Sequence, residues 1–298
     1  MMRATLSRLI RLARPYQWVK NSFVLVGLLF GHAWGDAETL RDAALVFAAF
    51  CLASSAVYVF NDIADRDADR AHAQKRLRPV ASGEVGLAAA AWFSGLLALC
   101  GLTLALAASA IAFVIVAAYL VLNAAYSLGL KHVAILDVFI IAAGFMLRIL
   151  AGTLGLDIEP SQWLLLCGMM LTVFLGFAKR RAELMVFESV ASGAGAHRRV
   201  LADYSPLLLD RMIAVSAGGV IVSYALYTVS AETALTHGTG KLVLTLPFVL
   251  YGVFRYLWLL HCGGGGGDPS RELLRDVHLL GATLGWLVVT IAVLSGVL

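Results

Sequence analysis

Apolar runs of membrane-spanning length recur along the whole chain. A transmembrane helix needs about 20 consecutive apolar residues. The sequence offers nine runs of that length or nearly so, near residues 17–34, 41–60, 86–107, 110–127, 133–153, 162–178, 209–230, 242–261 and 277–298. Only 14% of the residues are charged, whereas soluble chains have about 25%, and no polar half stands apart. We therefore predict an all-α, polytopic membrane protein with nine transmembrane helices, organised as one domain over residues 1–298.

The distribution of Lys and Arg predicts how these helices are oriented. Cytoplasmic loops of membrane proteins carry an excess of Lys and Arg. With nine spans and an inner N-terminus, all 23 such residues lie on the inner side except Arg41, Lys241 and Arg148, the last within a span. We therefore expect a multi-pass protein of the cell inner membrane whose chemistry faces the cytoplasm. The basic N-terminal arm predicts an amphipathic surface helix, with a disordered tail as the alternative.

The densest group of acidic residues follows the second apolar run, in the segment Asn61–Gly83. If the helix continues, Asn61, Asp65 and Asp69 are spaced four residues apart and lie on one face, with Asp62 beside them. Like charges at this spacing repel by roughly 0.2–0.5 kcal/mol per pair, unless a hard cation bridges them. Mg²⁺ takes one or two carboxylates, keeps some waters and completes its shell with phosphate oxygens. We therefore interpret these four side chains as a Mg²⁺ site rather than as a solvated loop.

Basic residues at the inner ends of the spans are candidates for phosphate binding. Arginine grips a phosphate with two parallel hydrogen bonds, whereas lysine acts as a point charge. The alternative is that these residues only satisfy the positive-inside bias. The candidates are Lys20, Lys75, Arg78, Lys131, Lys179 and Arg180.

Two charged residues lie within an apolar run, where they are costly and are functional candidates by default. Asp137 lies near the inner end of the fifth run and needs a partner, either a cation such as Lys131 or a metal. Arg148 lies eleven residues further on, or about 16 Å along a helix. Three roles are open for it, namely pairing with an acid across the bundle, holding the outer end of the helix, and contacting substrate.

At these residues the chain resembles the UbiA superfamily of intramembrane prenyltransferases. The shared mark is the aspartate motif NDxxDxxxD, here Asn61–Asp69, followed by an RPxxSG-like element, here Arg78–Gly83. The resemblance covers nearly the whole chain. It implies nine helices around a central cavity that opens to the cytoplasm.

Further motifs resemble one branch of this superfamily, the decaprenyl-phosphate phosphoribosyltransferases. They are RPYQWVKN at Arg14–Asn21, ADRAHAQKRLRPVASG, YSLGLKHVAILDV, KRRAEL and GDPSRELLRD. Aromatic prenyltransferases of the superfamily carry a second aspartate motif after the sixth helix, where this chain has KRRAEL. The branch transfers 5-phosphoribose from 5-phosphoribosyl 1-diphosphate to a polyprenyl phosphate, a first step toward lipid-linked pentose donors for cell-wall sugars.

The resemblance and the residues together imply a role for each candidate. Mg²⁺ on the donor diphosphate is assigned to the aspartate motif, with Asp65 and Asp69 also counted as catalytic alongside Lys179 and Arg180. The remaining candidates are assigned to substrate binding. Lys20 is assigned to the lipid phosphate, and Tyr126 and Asp137 to the shape of the donor pocket. Other substrate contacts are assigned to Lys75, Arg78, Lys131 and Arg148. The expected partners are the two phosphorylated substrates and the membrane, without nucleic acid, and homo-oligomerisation is left open.

Two other functions are weighed against this one. The first is an aromatic polyprenyltransferase acting on a 4-hydroxybenzoate-type acceptor, against which the missing second aspartate motif argues. The second is a transporter of anionic lipids. Buried charges along the full depth of the bundle and an inverted repeat would favour that function. Here the charges concentrate at one face, so the enzyme is preferred.

Overall fold

The structure is a computed structural model that describes residues 2–71, 75–190, 201, 203–262 and 269–298. No strand occurs among these residues, which confirms the all-α class. The α-helices described are α1 (Met2–Ala13), α2 (Leu25–Phe30), α3 (Ala37–Ala64), α4 (Arg66–Arg70), α5 (Leu87–Ala108), α6 (Ala110–Leu128), α7 (Leu136–Ala151), α8 (Gln162–Val190), α9 (Pro206–Val229), α10 (Ala231–His237), α11 (Leu246–His261), α12 (Pro269–Arg275) and α13 (Val277–Leu294).

The expected number of nine spans is approximate. By length and composition, the described residues contain eight helical stretches able to cross a membrane, counting adjoining 3-10 turns. They are Ala37–Ala64, Leu87–Ala108, Ala110–Leu128, Leu136–Leu156, Gln162–Val186, Pro206–Val229, Lys241–His261 and Val277–Leu294. Each of these corresponds to one of the last eight predicted runs.

The first predicted span differs because it is broken into two short helices. Pro15–Val24 forms a 3-10 helix, and α2 follows it for only six residues. A Cβ atom on Gly27 would lie 2.0 Å from the Gly152 carbonyl oxygen, and one on Gly152 would lie 1.7 Å from the Val24 carbonyl oxygen. The two backbones therefore touch directly. This contact fixes the segment against the end of α7.

The described residues form two compact units, and the expectation of a single domain stays a prediction. The first unit contains the described residues of Met1–Pro160 and Val190–Ala202, and the second contains those of Ser161–Ser189 and Asp203–Leu298. In the first unit α3 is the central helix, with α5, α6 and the 3-10 helix Pro15–Val24 packed around it. A Cβ on Gly101 of α5 would lie 3.0 Å from the Ala49 carbonyl oxygen, so small residues allow the two helices to approach closely.

The N-terminal helix α1 docks on the first unit near the C-terminal end of α3. Leu12 is fully buried and lies in an apolar cluster with Val59, Val80, Val85 and Ala90, whereas Ile10 is exposed. Arg11 adds an ion pair of 2.5 Å to Glu84. The helix predicted for the N-terminal arm is therefore present, and it is held by protein contacts.

In the second unit, α13 packs against α11 and its first turn is capped by Asp276. The Asp276 carboxylate accepts a hydrogen bond from the Leu279 N–H at 2.8 Å, and it pairs with Arg255 of α11 at 2.6 Å. The guanidinium of Arg255 is the main reason why the pKa of Asp276 is lowered to about 2.

Candidate active site

The acidic motif lies where α3 ends. Asp65 terminates the helix, and its backbone N–H donates to the Asn61 carbonyl at 2.9 Å. The short helix α4 then starts at Arg66. Because the helix does not continue through Asp65, the four motif side chains form two groups rather than one row.

The first group pairs Asp62 with Asp69. Both side chains are almost fully buried, and both accept hydrogen bonds from Nη1 of Arg78, at 3.2 Å and 2.7 Å respectively. Nη2 of Arg14 lies 2.5 Å from the same Asp62 oxygen, and its guanidinium stands over the ring of Tyr58 at 5.3 Å. Two carboxylates and two guanidiniums thus form one compensated cluster, which we call the arginine-bridged pair.

The second group connects the motif to the junction between α6 and α7. Lys131 forms an ion pair with Asp65, and the hydroxyl of Ser127 contacts the Asn61 side chain. Ser127 also donates to the Asn123 carbonyl at 2.7 Å. The sequence predicted that Lys131 would serve Asp137 or a phosphate, and the structure places it on an acid of the motif.

Asp137, the other acid of this region, is fully buried in the first turn of α7. Just before it, Ile135 has φ 69°, a backbone conformation that is an outlier for a β-branched residue. Such local strain persists only where the surrounding structure enforces it. Asp137 thus follows a tightly constrained turn at the start of α7.

The motif has the chemistry of a Mg²⁺ site. It offers amide and carboxylate oxygens, the ligands that Mg²⁺ prefers, and Oδ2 of Asp62 is buried without a hydrogen bond. Among the described residues, no three His, Cys, Asp or Glu side chains are grouped closely enough to hold a metal ion. Arginine and lysine occupy the carboxylates instead. The donor set therefore fits Mg²⁺, and a bound ion would compete with these basic side chains for the acids.

Arg148 is enclosed by neutral groups. Its guanidinium donates to the Asn21 side-chain oxygen at 2.8 Å, to the Gly144 carbonyl at 2.8 Å and to the Tyr119 hydroxyl at 3.0 Å. It also faces the rings of Phe50, Tyr119 and Phe145, the nearest at 4.6 Å. These contacts join α6, α7 and the 3-10 helix Pro15–Val24. They favour the holding role, and substrate contact by Arg148 stays a prediction.

In the second unit, the three adjacent cations of KRRAEL diverge. Arg180 is fully buried and pairs with Glu183 one turn later on α8. Arg181 donates to Asp210 of α9 at 2.8 Å, and His261 of α11 contacts the same carboxylate oxygen at 3.2 Å. Lys179 is partly buried. The sequence prediction that the three cations cannot face one way therefore agrees with these contacts.

The other predicted binding residues lie in the first unit. Lys20 is partly buried on the 3-10 helix, Tyr126 is partly buried on α6, and Lys75 is exposed in the short 3-10 helix Lys75–Leu77. Their roles toward substrate stay predictions. Two motifs extend outside the described residues, at positions 72–74 and at 267–268.

The structure adds one residue that the sequence interpretation had given no role, namely Arg14. It opens the motif RPYQWVKN, and the only signal in the sequence was a cation next to Pro15 at the start of an apolar run. The sequence predicts that Asp62 only flanks the row of Mg²⁺ ligands. In the structure, Asp62 is the acid on which Arg14 and Arg78 converge.

Known proteins resemble this chain over nearly its whole length. The model of the UbiA prenyltransferase family matches residues 21–268. The decaprenyl-phosphate phosphoribosyltransferase of Mycolicibacterium smegmatis is 34% identical over 292 residues, which cover 94% of this chain and 90% of that protein. The protein of the same name from Corynebacterium glutamicum is 33% identical, covering 93% and 84%. A solved UbiA homolog from Archaeoglobus fulgidus, bound to GPP and Mg²⁺, superposes with a TM-score of 0.71 at 17% identity, covering 97% of this chain and 99% of that one.

Proposed function

We propose that this chain, which belongs to the UbiA prenyltransferase family, transfers 5-phosphoribose from 5-phosphoribosyl 1-diphosphate to a polyprenyl phosphate and releases diphosphate. The names of relatives at 34% and 33% identity support this substrate pair. The observation that carries the proposal is that Arg14, Arg78 and Lys131 all contact the one acidic motif. A site so rich in cations suits a donor that bears three phosphate groups and an acceptor that bears another.

The motif residues Asn61, Asp62, Asp65 and Asp69 would hold Mg²⁺ in this reaction. When bound, the metal supplies charge neutralisation on the leaving diphosphate. The solved UbiA homolog from Archaeoglobus fulgidus, which is bound to GPP and Mg²⁺, supports the use of a divalent ion in the family.

The chain's own cations would orient the two substrates. Displacement occurs at C1 of the ribose through an oxocarbenium-like state, in which the bond to diphosphate breaks and the bond to the acceptor phosphate oxygen forms. A phosphate monoester has a second pKa near 6 and carries about −1.5 to −2 charges at neutral pH, so the nucleophile needs no general base. The acceptor phosphate must be held close to C1 of the donor despite repulsion from the donor phosphates. We assign this placement to Lys131 and Lys20, and we assign Lys179 and Arg180 as further phosphate-binding residues.

The location that we propose is the inner membrane, with the acidic motif on the cytoplasmic side. The Lys and Arg distribution supports this orientation. The donor is water-soluble, whereas the acceptor is a lipid. A site at the inner ends of membrane helices is accessible to both substrates.

Membranes containing the chain test the proposal directly. We expect label from 5-phosphoribosyl 1-diphosphate to enter the lipid fraction only when polyprenyl phosphate is present, and an Asp65→Asn variant in matched membranes to form no product. Incubation of the same membranes with a prenyl diphosphate and 4-hydroxybenzoate should give no prenylated aromatic product. A prenylated aromatic product would refute the proposal in favour of an aromatic prenyltransferase, and movement of lipid across the membrane without a new product would favour a transporter.

A further inference from the structure

Arg14 reaches the acidic motif from a sharp corner of the chain. It joins α1 to the 3-10 helix Pro15–Val24 with φ 54° and ψ 57°, the left-handed region. Non-glycine residues adopt this region rarely and at some cost. The corner turns the Arg14 side chain back onto Asp62, 48 residues away in sequence.

The helix that precedes Arg14, α1, is anchored independently of this contact. Leu12 is buried among side chains of α3, α5 and the loop between Val80 and Val85. Arg11 holds Glu84 at 2.5 Å on the exposed side of α1. Because α1 has its own attachments, Arg14 can exchange partners without releasing the helix.

The contacts of Asp62 show what such an exchange would do. One carboxylate oxygen of Asp62 receives both Arg14 and Arg78, while the other is buried without a hydrogen bond. A buried carboxylate without a counter-charge is strongly disfavoured, so the two arginines compensate it. A divalent cation on the motif supplies the same compensation and competes with the arginines for the same carboxylate.

We propose that Arg14 is a diphosphate-binding residue that acts as the counter-ion of Asp62 until metal and diphosphate arrive, and then moves its guanidinium onto phosphate oxygens. The planar guanidinium matches the geometry of a phosphate as well as that of a carboxylate. No covalent bond changes in this exchange. The inference rests on the proposed function only in requiring a diphosphate substrate, and it holds equally for a phosphoribosyl or a prenyl donor.

The exchange predicts opposite effects of one substitution on two ligands. In Arg14→Gln the competitor of the metal is lost, so Mn²⁺ alone should bind several-fold more tightly. Inorganic diphosphate, offered with saturating Mn²⁺, should bind about tenfold more weakly or worse, because a charge-assisted hydrogen bond is lost. Both constants can be measured on the full-length protein in nanodiscs. The electron paramagnetic resonance signal of free Mn²⁺ gives the first, and retention of ³²P-labelled diphosphate on the nanodiscs gives the second.

Arg11→Gln is the matched control, since it removes a cation three residues earlier whose side chain contacts only Glu84 among the described residues. Both affinities should stay at wild-type values in this variant. Parallel weakening of Mn²⁺ and diphosphate in Arg14→Gln, or no change in either, would overturn the proposal. If that variant does not fold, Arg14→Lys replaces it. Its Mn²⁺ affinity should match wild type while its diphosphate affinity falls, and unchanged diphosphate binding would likewise overturn the proposal. Because no ribosyl donor is used, a failed phosphoribosyl assay leaves this result interpretable.

Discussion

Replacing Arg78 with methionine should destabilise the first unit through a single uncompensated acid. Arg78 bridges Asp62 and Asp69, and Asp62 keeps Arg14 when Arg78 is removed. Among the described residues, Asp69 has no other ion-pair partner, and its side chain is only 5% exposed. The substitution therefore leaves one buried carboxylate without its counter-charge.

The contacts set the size of the effect. Removing one partner of a buried ion pair costs about 3–5 kcal/mol. The Arg78 side chain is 29% exposed, so we expect the lower end, about 3 kcal/mol. At about 2 °C per kcal/mol for a chain of this size, the unfolding midpoint should fall by roughly 6 °C. In Arg78→Met/Asp69→Asn the unpaired charge is gone as well, and we expect less than about half of that loss.

Thermal unfolding in detergent, followed by the loss of the monodisperse peak on size-exclusion chromatography, measures these shifts. Arg70→Met is the matched control, because Arg70 is about half exposed, lies 3.9 Å from the exposed Asp67 and donates to the Ala81 carbonyl. It should change the midpoint by no more than about 2 °C. A wild-type midpoint for Arg78→Met, or a double variant as unstable as Arg78→Met, would refute the reasoning.

Three further outcomes are expected. Asp65→Asn should nearly abolish turnover while the protein stays folded. A chelator should stop wild-type turnover until Mg²⁺ or Mn²⁺ is restored. Full activity in excess chelator would remove the metal from the mechanism. In a background without exposed native thiols, a membrane-impermeant reagent applied to intact cells should label Glu159→Cys but not Ser82→Cys, and strong labelling of Ser82→Cys would reverse the orientation. Because Arg255 lowers the pKa of Asp276 to about 2, the stability that this carboxylate adds is complete above its unfolded pKa of 3.8 and is lost as pH falls through about 2. The midpoint of Asp276→Asn should therefore lie below wild type at pH 7, and the difference should shrink as pH falls from 4 to 2; a constant difference would contradict this assignment.

The spans could be predicted from the sequence because length and apolarity suffice to define a membrane helix. The break in the first span could not be predicted, since it arises where Gly27 and Gly152 bring two distant backbones into contact. Glycines at these positions are equally compatible with an unbroken helix. Only the packed structure shows which neighbour requires the missing side chain.

The sequence marks the acidic motif as a candidate functional site, but it does not predict the internal arrangement of the motif. The spacing argument assumed that α3 continues, and it therefore grouped Asp65 with Asp69. The helix ends at Asp65, and Asp69 is held with Asp62 by Arg78 instead. Ion pairs with partners far away in sequence, such as Arg14, decide this arrangement, and no local periodicity reports them.

Under the proposed function, the burial of Asp62 makes folding and substrate binding draw on the same cations. An acid that is 1% exposed near the C-terminal end of α3 stays ionised at low cost only beside a positive charge. Before a metal binds, only the chain itself can provide that charge, and Arg14 and Arg78 do so. A metal that takes over this role frees two guanidiniums beside the place where its diphosphate must lie. Under the function proposed above, the counter-ions that stabilise the empty site thus become the contacts that hold the leaving group. Permanent ion pairs at Asp62 would add stability, but they would lower the affinity for substrate.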